Sequence, residues 1–161
     1  MKRLTQIIIP LVVAMSFLSC KTQKDTTEVE RNSTSFYLGF NKTPCHGTCP
    51  IYQMTLNDSG ALTLNAKRFM TIQGLYVSQI EVTELDSIKA AILRVDWSDL
   101  QQEYMTGYAD LPSTEMIFSN TPGDTTFVRW ESVKAPTELL ELGAKLEEIQ
   151  KSSNWLSLDL D

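Results

Sequence analysis

Two cysteines and the single histidine of the chain lie within one short stretch. Residues 43–52 read TPCHGTCPIY, so Cys45 and Cys49 flank His46. Thiols and an imidazole in such spacing are typical of a metal site, a redox pair or a disulfide. Gly47 allows a tight turn and Pro50 disfavours a helix through the stretch, so the two sulfur atoms can approach each other.

The ligands available argue against two kinds of cofactor. A structural zinc site uses four ligands, whereas this stretch offers two thiols and one imidazole. A c-type haem needs Cys-x-x-Cys-His, and here the histidine lies between the cysteines. We therefore predict no metal and no cofactor. His46 has no serine or carboxylate visibly placed to complete a triad, so no catalytic residue is predicted either.

A copper or redox role is the sharper alternative. Residues 45–50, CHGTCP, resemble the Cys-x-x-x-Cys-Pro motif of membrane-anchored, thioredoxin-fold copper chaperones of the Sco type. Those proteins also use a distant histidine near the C-terminus, and no histidine follows His46. Thiolates suit Cu(I), but an incomplete ligand set does not select it. The resemblance implies a thiol redox or copper-handling function for Cys45 and Cys49, which stays open beside a structural disulfide.

The start of the chain, MKRLTQIIIPLVVAMSFLSC, indicates export. Lys2 and Arg3 precede a short apolar stretch at residues 7–18. Spanning a membrane takes about 20 apolar residues, so the pattern predicts a signal peptide over residues 1–19. Residues 17–20, FLSC, resemble the lipobox of bacterial lipoproteins. The resemblance implies that Cys20 becomes a lipidated N-terminus that anchors the protein to a membrane.

The residues after Cys20 bear on the destination of the protein. Lys21 stands where lipoproteins of the inner membrane carry Asp, so the same resemblance implies an outer membrane lipoprotein, periplasmic or surface-exposed. Residues 20–35 are polar and lack apolar periodicity, which predicts a flexible tether on the order of 20 Å long. In this oxidising compartment Cys45 and Cys49 are expected to form a disulfide. The formal charge of −6 argues against a nucleic acid partner.

Apolar periodicity predicts the fold. Alternation marks strands at residues 36–40, 52–56, 62–66 and 75–82, and a second hairpin at residues 114–120 and 125–131. Helical spacing marks two stripes, one of Leu85, Ile88, Ile92 and Val95 and one of Leu139, Leu142, Leu146 and Ile149. Thr83 and Asp86 predict a capping box. The tail NWLSLDLD is expected to dock as a last strand or to fray. Trp97, Trp130 and Trp155 are interpreted as packing residues.

These elements predict a single α+β domain over residues 36–161. Its sheet is expected to have five or six antiparallel strands, with two amphipathic helices packed on one face. The stretch TPCHGTCPIYQMTLNDSGALTL, the helix start TELDSI and the loop GYADLP resemble a family of uncharacterised Gram-negative lipoproteins, a domain of unknown function with the motif Cys-x-Gly-x-Cys-Pro-x-Tyr. The resemblance covers residues 36–150 and implies no activity.

Enzyme motifs are missing from the sequence. It contains no phosphate-binding glycine loop, no HExxH and no serine elbow. We therefore expect a lipid-anchored, non-enzymatic module that binds an envelope protein or polysaccharide through a sheet face or an edge strand. The alternative is the thiol redox or copper-handling protein that uses Cys45 and Cys49.

Overall fold

The computed structural model describes residues 35–121 and 123–158. The predicted signal peptide, the lipidation residue Cys20 and nearly the whole predicted tether lie outside these residues. Within the described ranges, no helix is long and apolar enough to cross a membrane.

Eight strands and two helices make up the described part of the chain. Their order is β1 (Tyr37–Lys42), β2 (Ile51–Asn57), β3 (Ala61–Arg68), β4 (Gly74–Gln79), α1 (Val82–Ile92), β5 (Glu103–Tyr104), β6 (Ser113–Thr121), β7 (Asp124–Glu131), α2 (Thr137–Ser152) and β8 (Leu156–Ser157). All the strands belong to one sheet, in the order β5-β7-β6-β1-β2-β3-β4-β8. β5 runs parallel to β7, and the other neighbouring strands are antiparallel.

The broad α+β class is confirmed, but the predicted sheet of five or six antiparallel strands is wrong. The sheet has eight strands and is mixed. The additional strands, β5 and β8, are two-residue pieces at the two edges. Alternation needs four or more residues to be visible, so β5 leaves no trace in the sequence. β8 lies in the tail NWLSLDLD, where docking as a last strand is one of the two expected outcomes. The positions of both strands depend on distant contacts, such as the 2.8 Å bond from the Arg129 amide to the Gln102 carbonyl.

The core lies on one face of the sheet. Even-numbered residues of the central strands meet across it, since Leu38 pairs with Leu56 and Phe118, and Phe40 pairs with Met54. Both helices bury their predicted apolar stripes in the same cluster, as expected. The two helices therefore cover one face of the sheet.

The start of α1 differs from the prediction. The helix begins at Val82, after Glu81 as its N-cap, and no side chain caps it. The Leu85 amide donates to the Glu81 carbonyl at 2.9 Å, so Thr83 already lies inside the first turn. The predicted capping box of Thr83 and Asp86 is therefore wrong. The buried Ile80, whose amide bonds the Gly60 carbonyl, fixes the chain directly before the helix.

The three tryptophans pack as predicted. Trp130 is buried, and Trp97 stacks on Phe118 with ring centroids 4.3 Å apart. The indole nitrogens of Trp97 and Trp155 donate to backbone carbonyls five residues earlier, at 3.1 and 2.9 Å. Trp97 and Trp155 thus pack against the core beside the C-terminal ends of α1 and α2.

Candidate functional site

The cysteine pair lies in the connection from β1 to β2. The structure places the Cys45 and Cys49 sulfur atoms at disulfide-bonding distance, with the Cα atoms 5.8 Å apart. That separation falls within the usual range for a disulfide. The glycine and proline of the motif allow the tight turn that this geometry requires. The His46 side chain is exposed on that turn.

Hydrogen bonds fix this turn to a second loop, residues 105–112. The Thr43 amide donates to the Ser113 carbonyl at 3.0 Å, and the Ser113 amide donates to the Thr43 hydroxyl at 2.8 Å. The His46 amide donates to the Asp110 carbonyl at 3.2 Å. His46, for which no catalytic role is predicted, therefore helps to hold the second loop through its backbone amide. We call the turn 45–49 and the loop 105–112 the end loops.

The second end loop is tied to β7 through a carboxylate. The amide and the hydroxyl of Thr106 donate to Oε2 of Glu131 at 2.9 and 2.6 Å. These bonds, with Arg129 nearby, hold the pKa of Glu131 below its usual value. Glu131 and its cross-strand partner Ser113 are buried, although both point away from the helices. The end loop therefore covers one end of the face opposite the core.

The rest of that face is open. None of the described residues forms a helix over it, because both helices pack on the core side. One row of residues across the strands is polar: Asn65, Gln53, Asn41, Glu115 and Arg129. The next row is mostly apolar or small: Val77, Thr63, Thr55, Gly39, Ile117 and Phe127. We call these two rows, with Tyr37, the open face.

Tyr37 forms an aromatic platform on the open face. A Cβ atom at Gly39 would lie 3.6 Å from both Cε1 and Oη of Tyr37 and 3.4 Å from Cβ of Ile117. The tyrosine ring therefore lies over the glycine, in space that any other side chain would fill. Tyr37 is still 45% exposed and Phe127 39% exposed. Large rings that stay this exposed on a sheet are available for contact with a ligand.

The polar row carries almost no net charge. Glu115 accepts a long 3.4 Å bond from the Asn41 amide and lies 3.9 Å from Nε of Arg129. The side-chain amides of Gln53 and Asn65 have no hydrogen-bond partner within the described ranges. Two neighbouring strands thus offer free donors and acceptors in one line.

Another polar cluster closes the core beside α2. Nζ of Lys42 donates to Oε1 of Glu147 at 2.7 Å and to the Thr114 hydroxyl at 2.9 Å. Burial, with the nearby Glu147 carboxylate, raises the pKa of Tyr52 well above its usual value. This shift keeps the buried Tyr52 phenol protonated at neutral pH.

Potential metal ligands are not clustered in the described residues. These residues bring together no group of three or more His, Cys, Asp or Glu side chains that could hold a metal ion. A shallow cleft of about 390 Å³ between Arg94 and Glu138 is lined by both charge signs. In it, the Asp96 carboxylate accepts bonds from the Ser98 hydroxyl and amide, which lower the pKa of Asp96.

One known family includes the cysteine motif and the strands β1 to β7. A family model described as a domain of unknown function, DUF6438, matches residues 36–150. The chain belongs to the DUF6438 family. A search of curated proteins finds no match. The expected membership of a family without known function is thereby confirmed, and the DUF6438 match includes the end loops and the whole open face.

Sequence reasoning identified the cysteine turn but missed the open face of this DUF6438 domain. Its residues left a signal, since Gln53, Thr55, Thr63 and Asn65 are the polar partners in the alternation that predicted β2 and β3. Alternation alone does not distinguish a polar face that only meets water from one that binds. The register that lines up amides and rings across strands required the structure.

Proposed function

We propose that the protein is a lipid-anchored module of the outer membrane that binds an envelope ligand through the open face of its sheet and catalyses no reaction. The observation that carries the proposal is that exposed rings and unpaired amides share a sheet face without a covering layer among the described residues. The end loops form a fixed border at one end of that face.

The face is a better binding surface than the edges. Strand addition needs a long unpaired edge, because its affinity comes from a row of backbone hydrogen bonds. Two-residue strands cover part of each edge, since β5 pairs with Arg129 and Trp130 of β7, and β8 pairs with Tyr76 and Val77 of β4. Very short edge strands are a common protection against pairing with other chains. Of the two modes expected from the sequence, face binding is therefore favoured.

The anchor part of the proposal rests on the lipobox-like residues 17–20 and on the polar residues 20–35 that follow. Lipid on Cys20 would place the open face within reach of ligands near the membrane. Mass spectrometry of the mature protein tests this directly. We expect an N-terminus at Cys20 that carries acyl chains, and an unmodified Cys20 would contradict the anchor.

Site-specific photo-crosslinking in intact cells tests the binding surface. A photoreactive amino acid replaces Gln53 on the open face, and a matched variant carries it at the exposed Ala144 of α2. We expect crosslinked adducts from position 53 that are absent from position 144. Equal or absent adducts at both positions would contradict binding through the open face.

In the thiol redox or copper-handling alternative, Cys45 and Cys49 are the functional groups instead of the open face. Thiol trapping at redox potentials of the cell envelope, and intact mass after exposure to copper, separate the two functions. An oxidised pair that resists thiol buffers and retains no copper supports the binding module. Ready cycling of Cys45 and Cys49, or retained copper, would favour the alternative.

A further inference from the structure

We infer that the ligand of the open face is a neutral polysaccharide chain lying across the strands. This inference rests on the proposed binding function and names its ligand class. It follows from the charge, the rings and the spacing of the groups on the face.

Charge selects the class of ligand. The whole chain has a formal charge of −6, yet the polar row contains one acid and one base, Glu115 and Arg129, which lie beside each other. The remaining polar groups of the open face are amides and hydroxyls. An anionic polymer would find no cluster of cations there, and a cationic peptide would find no cluster of acids. A neutral ligand rich in hydroxyl groups matches the face.

Rings and amides supply the two kinds of contact that a sugar needs. The Tyr37 ring lies over Gly39 and keeps an exposed side, which can stack on the apolar C–H face of a pyranose. The Gln53 and Asn65 amides, which have no partner in the described residues, can donate to and accept from sugar hydroxyls. The Thr55 and Thr63 hydroxyls bond each other at 2.6 Å and are already paired.

The geometry suits a chain rather than a single sugar. Asn41, Gln53 and Asn65 occupy successive strands, so their spacing is about 4.8 Å per step. This spacing is close to the repeat of one sugar unit in an extended glycan. From β7 to β3 the polar row crosses five strands, a width of about 19 Å, and accommodates several sugar units.

A second copy of the protein fits the face less well. Two sheets that pack face to face interdigitate apolar side chains from both inner faces. Here a second sheet would bury the free Gln53 and Asn65 amides and the ion pair of Glu115 and Arg129. Burying such groups without partners is unfavourable, whereas a wet sugar chain supplies partners for them.

Calorimetric titration of the full-length protein tests the inference, in a detergent whose headgroup is not a sugar. The probes are chitohexaose and cellohexaose as neutral extended glycans, and oligogalacturonate as an anionic one of similar length. We expect binding of at least one neutral probe and none of the anionic probe. Binding of the anionic probe alone, or of no probe, would overturn the inference.

Variants assign the binding to the open face. We expect Tyr37→Ala to weaken binding of the neutral probe about tenfold through loss of ring stacking. The pair Gln53→Ala and Asn65→Ala should weaken it by a similar factor through loss of hydrogen bonds. Val82→Ala and Leu93→Ala, at exposed positions on the helix side of the sheet, should leave it unchanged. Equal loss in the control variants would overturn the assignment.

The two proposals fail in different ways. If position 53 crosslinks in cells but no neutral glycan binds, the glycan inference fails and binding through the open face stands. If position 53 gives no specific adduct and no probe binds, both fail. Sedimentation adds a third outcome, since a dimer that Tyr37→Ala dissociates would assign the face to a second copy and overturn the glycan inference.

Discussion

The amide and the hydroxyl of Thr106 both donate to one oxygen, Oε2 of Glu131, at 2.9 and 2.6 Å. This pair joins the end loop 105–112 to β7 across 25 residues of sequence. Both bonds favour the charged carboxylate and lower the pKa of Glu131 from its unfolded value of 4.5. The position of the end loop is therefore coupled to the ionisation of Glu131.

Removal of the Thr106 hydroxyl should lower the free energy of unfolding relative to the natural chain. This loss should be larger at neutral pH than in acid. Because the folded pKa of Glu131 is lowered, its stabilising effect is present above pH 4.5 and is lost as the pH falls through the folded value. Urea unfolding of Thr106→Val across this range should show a difference from the natural protein that shrinks in acid. The exposed Thr71→Val is the control. A difference independent of pH would contradict the coupling.

Tyr52 should limit stability in alkali. Burial, together with the Glu147 carboxylate, raises the folded pKa of Tyr52 above its unfolded value of 10.0. The protonated phenol therefore favours the folded state below pH 10.0, and this contribution is lost as the pH rises further. Tyr52→Phe cannot ionise, so its free energy of unfolding should fall less steeply in alkali. Tyr108→Phe, at a residue 75% exposed, should keep the natural slope, and equal slopes in all three proteins would contradict the prediction.

The hairpin of β2 and β3 could be predicted because its determinants are local. Oδ1 of Asn57 accepts bonds from the amides of Ser59 and Ala61 at 3.1 and 3.0 Å. Gly60 adopts a φ of 83°, a conformation that glycine reaches without strain. A turn that is stabilised by the side chain of one of its own residues, between two alternating stretches, is readable from sequence. The two helices were predictable for the same reason.

The candidate site could be predicted only in part. The proximity of Cys45 and Cys49 follows from their spacing, but the bond of the His46 amide to the Asp110 carbonyl does not. Asp110 adopts a positive φ of 74° in a loop whose sequence shows no sign that it meets the cysteine turn, although both lie at the start of β6. Likewise, the row of Asn41, Gln53 and Asn65 depends on strand register. Contacts set by topology leave no periodic signal in the sequence.

Loss of the cysteine pair should lower stability modestly. In the entropy model, closing a loop of about five residues stabilises the folded state by about 2 kcal/mol. Cys45→Ser with Cys49→Ser should therefore reduce the free energy of unfolding by about 2 kcal/mol, measured in urea. The natural protein with reductant should show the same loss, and reductant should not affect the double variant. Unchanged stability in both cases would show that the pair contributes nothing to the fold.

The same double variant should also loosen the end loops. The turn 45–49 holds the loop 105–112 through the bond from the His46 amide to Asp110. Hydrogen exchange should therefore accelerate at the His46 amide, whereas exchange at the buried Leu64 of β3 should follow global stability only. Unaltered protection at His46 would mean that the turn keeps its shape without the disulfide.

Gly143 lies where α2 packs closely against the sheet. A Cβ atom there would lie 3.0 Å from Cζ2 of Trp130 and 3.7 Å from Cε2 of Phe40. Alanine is favoured over glycine in a helix by about 1 kcal/mol, whereas overpacking a core costs about 1–3 kcal/mol. Because Trp130 is buried and its ring is rigid, the steric cost should exceed the gain. We expect Gly143→Ala to reduce the free energy of unfolding by about 1 kcal/mol.

The neighbouring exposed position separates sterics from helix propensity. Ala144→Gly, on the solvent side of α2, should cost about 1 kcal/mol from propensity alone. If Gly143→Ala stabilised the protein by a similar amount, the close packing against Trp130 would be disproved. In a Trp130→Phe background the smaller ring leaves room for the new methyl group, so Gly143→Ala should there cost less than in the natural chain. The coupling between the two substitutions, measured as a double-mutant cycle in urea, reports the contact itself.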